Sequence, residues 1–375
     1  MLADKTRQPG LDFLRAFAII WVMLFHTGTL RIEMPIAVFS NLGWMGVDLF
    51  FVLSGFLIAR QLFRFVATGQ SISLSQFYLS RALRILPAFL VVLGCYFVFP
   101  AIQEGRGLPA LWQFFTFTVN LFVDLSTNTF SHVWSLCVEE HFYLVFPLLA
   151  MLLRGKHLAT KVIVVCLVIM IAGAFLRSQL WHADWVFPFG KHYMMYLYYP
   201  TYSRLDGLVA GVMLAALAVF MPKVWSKVQA HNHWVMGVGL VGMSVSIWLF
   251  QDRLSFIATV LGFPILAISF AFIVAAASSA ANVLGPRIIP VVSFIAAISY
   301  SLYLTHKAVF FVVKTHLNDW ATIHPVVAFA IYSGAALVVA SLLYFAIERP
   351  FLRLRSRFFQ PTEAALVNQN TQTAS

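Results

Sequence analysis

The chain has 375 residues, of which 61% are apolar and only 10% are charged, and its mean hydropathy is +0.85. A soluble domain carries about 25% charged residues, so this composition excludes an ordinary soluble protein and indicates a membrane protein. The net charge of +11 comes from basic residues at the ends of apolar runs, not from one patch interleaved with aromatic residues. We therefore expect no nucleic-acid partner and attribute the charge to membrane topology.

Ten apolar runs are long enough to cross a bilayer, which predicts an all-α polytopic bundle with ten transmembrane helices. These runs form one transmembrane domain over residues 1–350, followed by a basic and polar tail over 351–375. The predicted spans are 11–30, 42–63, 85–103, 133–153, 161–180, 202–222, 235–251, 256–278, 290–313 and 325–347.

A further apolar stretch, Leu111–Val123, has 13 residues, whereas a helix needs about 20 to cross the hydrocarbon core. If this stretch does not cross, most basic loops and the basic tail fall on the side of the N-terminus. The positive-inside rule then places both termini in the cytoplasm of a cell inner or plasma membrane. We predict that 111–132 is a re-entrant or interfacial segment on the outer side.

The cysteine spacing and the N-terminal sequence argue against disulfides, a metal site and a signal peptide. Cys95, Cys137 and Cys166 lie in apolar runs without a C-x-x-C spacing, so we expect neither a disulfide framework nor a metal site. The N-terminal apolar run lacks a small-residue cleavage site, so we do not expect a removable signal peptide.

The first span carries two ionisable side chains, Arg15 and His26, eleven residues apart. At 3.6 residues per turn they return to nearly the same helix face, about 16 Å apart along the axis. Ionisable groups inside a membrane are expensive and usually functional, and histidine is suited to proton transfer near neutral pH. This pair is the first candidate for catalysis.

Arg81 and Arg84 lie near the predicted cytoplasmic start of the third span and share a helix face. Pro87 suits the first turn of a helix, so two guanidinium groups at an electropositive helix N-terminus form a candidate phosphate site. The alternative is that both arginines only signal topology.

Trp134 and Glu139 lie at the start of the fourth span. A carboxylate inside a bundle must pair or contact water. Glu139 therefore either orients His26 or a sugar hydroxyl, or forms an ion pair with an intramembrane arginine such as Arg204.

Asp48, Arg204 and Asp206 are charged residues in the second and sixth spans. Arg204 and Asp206 point to different sides of a helix, so each is expected to pair with another helix, which favours bundle assembly over catalysis. Asp48 either pairs with Arg31 or contacts a substrate.

The ninth span carries a polar stripe of Tyr300, Tyr303, His306 and Lys307. This spacing predicts that the stripe lines a water-filled cavity. A buried histidine is usually only hydrogen-bonded, so His306 is either a structural or a catalytic residue.

Seven motifs follow one another between residues 11 and 350: Leu11–Ala16 followed by His26, Gly46–Ile58, Phe77–Pro87, Trp134–Leu136 with Glu139, Arg204–Gly207, Ile298–His306 and Ile347–Pro350. In these motifs and their order the chain resembles the membrane acyltransferase-3 family. The resemblance implies a ten-helix enzyme that takes an acyl group, usually acetyl, from cytoplasmic acyl-coenzyme A. The acceptor is a hydroxyl of a glycan or related molecule, often at the outer face of a bacterial inner membrane.

The resemblance also implies a role for each of the candidate residues. Arg81 and Arg84 would hold the phosphates of the donor acetyl-CoA, with Arg15 near the thioester. His26 would act as general base or accept the acyl group transiently, and Glu139 would set its tautomer. The candidate substrate-binding residues are Asp48, Trp134, Arg204, Tyr303 and His306.

Some family members carry a fused extracytoplasmic hydrolase-like domain. We expect this chain to work alone or with a separate periplasmic partner protein, in contact with membrane lipid. The alternative function is a proton-coupled transporter or flippase of a glycan or small metabolite, because intramembrane ionisable groups also build proton relays. Transporters often have two similar halves, and this sequence has no such symmetry.

Overall fold

The structure is a computed structural model and describes residues 8–29, 37–153, 155–184, 188–279, 284, 289–317 and 325–358. These residues contain no β-strand. The α-helices are α1 (Pro9–Thr29), α2 (Ala37–Asn41), α3 (Met45–Ala67), α4 (Leu74–Val98), α5 (Leu111–Phe115), α6 (Val133–Met151), α7 (Leu158–His182), α8 (Phe189–His192), α9 (Asp206–Phe220), α10 (Pro222–Ala230), α11 (Asn232–Leu249), α12 (Phe263–Ala277), α13 (Pro290–Leu317), α14 (Pro325–Leu343) and α15 (Arg349–Phe358).

Within the described ranges, nine helical segments are long and apolar enough to cross a membrane, and the bent pair α9–α10 makes a tenth if it is counted as one span. The prediction of an all-α, multi-pass membrane bundle is therefore confirmed. The predicted sixth span, 202–222, is the least regular. A short 3₁₀ turn, Thr201–Ser203, precedes α9, and the chain then bends by 107° into α10.

The direction of each helix defines two ends of the bundle. We call the end where α1 begins the N-terminal end and the opposite end the distal end. The Arg60 guanidinium donates to the Gln8 side chain at 3.4 Å, so α3 runs antiparallel to α1. His306 in the second half of α13 contacts His26 near the end of α1, so these two helices run parallel.

Helices α3 and α9 pack so closely that only glycine fits at the contact. A Cβ atom on Gly55 would lie 2.1 Å from the Leu208 carbonyl oxygen, and one on Gly211 would lie 2.3 Å from the Val52 carbonyl oxygen. Small residues of this kind let membrane helices approach each other closely. The contact fixes the start of α9, and with it Arg204 and Asp206, against α3.

The segment 111–132 forms no spanning helix, as predicted. It consists of the short helix α5 followed by irregular turns. Side-chain hydrogen bonds hold it at the distal end: the backbone N–H of Phe130 donates to Glu104 at 3.0 Å, and Asn120 donates to the Thr201 hydroxyl at 2.7 Å.

Helix α4 differs from the prediction at its beginning. The predicted third span begins at residue 85, with Pro87 in its first turn, but α4 begins at Leu74, where the Ser73 side chain caps it. Pro87 lies inside the helix, which membrane helices tolerate because neighbouring groups satisfy the freed backbone. Arg81 and Arg84 therefore lie beyond the first turn, where the helix dipole no longer contributes appreciably.

Candidate active site

A cavity of about 350 Å³ lies among α1, α3, α4, α6, α13 and α15. Arg15, Arg81, Arg84 and Arg355 line its mouth at the N-terminal end, and Ser135 lies at its inner end. The volume falls within the range of small-molecule sites. The cavity therefore forms a pocket that extends from one end of the bundle towards its middle.

The mouth of the cavity is rich in guanidinium groups. The Arg84 side chain is 34% exposed, and its nearest carboxylate oxygen belongs to Glu348, 3.6 Å away. Arg15 lies 3.5 Å from Asp12. The Arg81 guanidinium lies over the Tyr143 ring, and its Nε atom has no hydrogen-bond partner among the described residues. This set of partly exposed cations is suited to binding a polyanion.

The wall of the cavity holds one half-buried carboxylate, Glu139. The Ser54 hydroxyl donates to its Oε1 at 2.8 Å, and the Tyr143 hydroxyl donates to its Oε2 at 3.0 Å. Glu139 therefore pairs with two hydroxyl groups, and neither of its predicted partners, His26 and Arg204, is among these contacts.

Two hydroxyl groups close the inner end of the cavity. The Tyr303 hydroxyl lies 2.5 Å from Ser135 Oγ and also donates to the His132 backbone carbonyl. Both side chains are buried. We call this pair of hydroxyls the Tyr303–Ser135 wall.

Three imidazole rings lie together near the Tyr303–Ser135 wall. His306 Nε2 lies 2.9 Å from His26 Nδ1, and the His132 ring centroid lies 5.2 Å from that of His306 and 6.0 Å from that of His26. The His306 ring is 6.1 Å from Tyr303. None of the three histidines is among the residues that line the cavity, so the wall separates them from it.

Lys307 brings a positive charge next to the three imidazoles. Its Nζ lies 3.0 Å from Glu104 Oε1 and 3.0 Å from the Ser131 hydroxyl. Lys307 therefore connects Glu104, in the loop before α5, and Ser131, next to His132, to helix α13.

Two further ion pairs of intramembrane residues lie near the distal end. Arg204 donates to both carboxylate oxygens of Asp48, at 2.9 and 3.0 Å, and its guanidinium lies 4.0 Å from the centre of the Phe263 ring. Arg177 on α7 pairs with Asp206 at 2.7 Å. Arg204 and Asp206 thus pair with two different helices, while Arg31 lies outside the described residues.

Trp134 lies apart from the cavity, against this cluster of charges. Its ring is 5.5 Å from the Arg204 guanidinium and 5.6 Å from the Tyr199 ring. Trp134 and Tyr199 also line a crevice of about 30 Å³ at the distal end, together with Asp124 and Asn128. Trp134 is therefore a candidate for contact with a molecule that arrives from the distal end.

The family model described as "Acyltransferase domain" (Acyl_transf_3) matches residues 8–345. The chain belongs to this acyltransferase family. The match covers every helix that lines the cavity except α15.

Curated relatives of this acyltransferase-family chain carry names that agree with the family. It is 28% identical over 364 residues to the O-acetyltransferase OatA of Staphylococcus aureus strain NCTC 8325 and to that of strain COL. Each alignment covers 91% of this chain but only 57% of the relative. No solved structure matches the chain.

Arg355 and His132 belong to the site but were not among the residues predicted from the sequence. Arg355 on α15 reaches the mouth of the cavity, but in the sequence it is one of several basic residues that topology explains. His132 lies in the loop before the fourth span, immediately before the Trp134 motif. Its position next to that motif was the signal that could have identified it.

Proposed function

We propose that this chain is an integral-membrane O-acetyltransferase that moves an acetyl group from cytoplasmic acetyl-CoA to a hydroxyl of a cell-surface glycan or related acceptor. The proposal rests on one structural arrangement. A cavity lined by arginines opens at the N-terminal end of the bundle, and the His26–His306 pair lies beyond the inner wall of that cavity. In this proposal the N-terminal end and both termini face the cytoplasm of the bacterial inner membrane, as the distribution of basic residues favours.

The cavity mouth suits the donor. Coenzyme A carries several phosphate charges, and guanidinium groups bind phosphate through paired, charge-assisted hydrogen bonds. Arg81, Arg84 and Arg355 would hold these phosphates, with Glu348 releasing Arg84 when the donor binds. The narrow interior beyond Arg15 would then receive the acyl-bearing arm.

The histidine pair suits the acceptor. His26 is partly exposed and lies three residues before the end of α1, so an acceptor hydroxyl from the distal end can reach it. Its imidazole would take the hydroxyl proton while the oxygen attacks the thioester carbonyl. The C–S bond breaks, and the thiolate takes up the proton to leave as free coenzyme A.

The Tyr303–Ser135 wall lies on the path between the two substrates. The thioester carbonyl would meet the acceptor oxygen there, so we assign these hydroxyls to the path of the acyl group. Trp134 remains a candidate for acceptor contact. The mutual pairing of Asp48 and Arg204 favours a structural role for both, and the partners of Glu139 favour a role in shaping the cavity.

Replacing Arg81 or Arg84 with alanine should raise the KM for acetyl-CoA. Each charged hydrogen bond is worth about 1.5–3 kcal/mol, so we expect an increase of about tenfold or more, with a smaller effect on kcat. Labelled acetyl incorporation by membranes over a range of donor concentrations measures both parameters.

The matched control is Arg353→Ala, because Arg353 lies on α15 with an exposed side chain outside the cavity. It should leave the KM unchanged. An unchanged KM in both Arg81 and Arg84 variants, with undiminished thermal stabilisation by acetyl-CoA, would exclude this donor site. Movement of an acceptor across the membrane without acetyl incorporation would instead support a transporter.

A further inference from the structure

The contacts of His306 determine where the protons lie on the His26–His306 pair. His306 Nδ1 lies 2.9 Å from the Leu302 backbone carbonyl oxygen. A carbonyl oxygen only accepts hydrogen bonds, so Nδ1 of His306 carries a hydrogen. In a neutral imidazole the other nitrogen then has only a lone pair, so Nε2 of His306 must accept.

The partner of that lone pair is His26 Nδ1, at 2.9 Å. His26 Nδ1 must therefore carry a hydrogen and donate it to His306. A neutral His26 with its hydrogen on Nδ1 keeps its lone pair on Nε2.

The surroundings keep His306 neutral in this arrangement. Its side chain is fully buried, and the ammonium of Lys307 is on the next residue. The His132 ring lies 5.2 Å away and offers no negative charge. Glu104 is the carboxylate on this side and is paired with Lys307. A second buried positive charge at His306 would be unfavourable here.

We propose that His306 is a positioning residue that holds His26 in the Nδ1–H tautomer and so directs the basic Nε2 atom towards the acceptor hydroxyl. The hydrogen bond from the other ring nitrogen sets which nitrogen of a histidine is basic. When His26 takes up the acceptor proton, the same bond becomes charge-assisted and stabilises the imidazolium. The functional part of this inference rests on the proposed acetyl transfer.

Two substitutions at residue 306 separate positioning from packing. The His306→Gln side chain can place an amide oxygen near the position of Nε2, so it can still accept from His26. The His306→Asn side chain can still reach the Leu302 carbonyl but is too short to reach His26. We expect His306→Asn to lower kcat by about 10- to 100-fold, by analogy with the loss of a hydrogen-bond partner that orients a metal-ligating histidine, and His306→Gln to restore most of it.

Nitrogen-15 NMR of histidine-labelled protein in detergent micelles reads the tautomer directly, and a His26→Gln variant identifies the His26 signals. We expect a protonated Nδ1 and an unprotonated Nε2 in the unmodified protein and in His306→Gln, and a mixture of tautomers in His306→Asn. A proton on Nε2 in the unmodified protein, or an unchanged tautomer in His306→Asn, would overturn the proposal.

The two measurements also separate this inference from the proposed function. The NMR signals do not require turnover, so unmodified protein that transfers no acetyl group would contradict the transferase while the tautomer test stands. Loss of activity in His306→Asn with the His26 tautomer intact would show a merely structural role and reject positioning.

Discussion

Replacing His26 with alanine should abolish acetyl transfer while leaving the protein folded. A positioned general base contributes about 10²- to 10⁴-fold to the rate, and the nearby His306 is turned so that its lone pair faces His26 rather than the acceptor. The expected loss is in kcat, with donor binding at the arginine mouth retained. Labelled acetyl incorporation, together with thermal stabilisation by acetyl-CoA, measures the two effects separately.

The matched control for this substitution is His316→Ala. His316 is an exposed histidine in the last turn of α13, and its Nδ1 lies 2.7 Å from the Val312 carbonyl oxygen of its own helix and 3.3 Å from the Thr315 hydroxyl. It should retain full activity. Substantial activity in His26→Ala would remove this imidazole from the reaction.

Neutralising one member of the buried Asp48–Arg204 pair should destabilise the bundle strongly. Breaking a buried ion pair typically costs about 3–5 kcal/mol because the remaining charge loses its partner. We therefore expect Asp48→Asn and Arg204→Met each to lower the unfolding temperature in detergent by many degrees. Thermal unfolding monitored by loss of helical circular dichroism measures the effect.

The double variant Asp48→Asn/Arg204→Met tests the pair itself. Because no unpartnered charge remains, it should be more stable than either single variant. Arg64→Ala, on an exposed side chain in the last turn of α3, should change stability little. Single variants of normal stability with a raised KM for the acceptor would instead support the substrate-binding role considered from the sequence.

Much of the fold could be predicted from the sequence, because the bilayer forces long apolar runs into helices. The exceptions have local causes. The start of α4 was misplaced because Pro87 resembles a helix start and the amphipathic turns before it are not apolar. The predicted span 202–222 begins with a 3₁₀ turn instead of a regular helix. At this turn the side chains of Arg204 and Asp206 point to different sides, because Arg204 pairs with Asp48 on α3 and Asp206 pairs with Arg177 on α7.

Several residues of the candidate site could be predicted from the sequence, but the contacts between them could not. Arg15, Arg81, Arg84, Glu139 and Tyr303 were identified because polar groups are rare in apolar runs, and all five line the cavity. Helical periodicity gives the face of one helix and not the helix opposite. It therefore could not predict that His306 would be the partner of His26, or that Ser54 and Tyr143 would hold Glu139.

The Tyr303–Ser135 wall bears on how the proposed transfer could take place without making the membrane permeable to protons. A continuous water-filled tunnel joining the arginine mouth to the distal face would conduct protons and dissipate the electrochemical gradient. Because two touching hydroxyl groups lie at the inner end of the cavity, the proposed acyl transfer would not need such a tunnel. The same contact would keep bulk water from the distal side away from the thioester of the proposed donor.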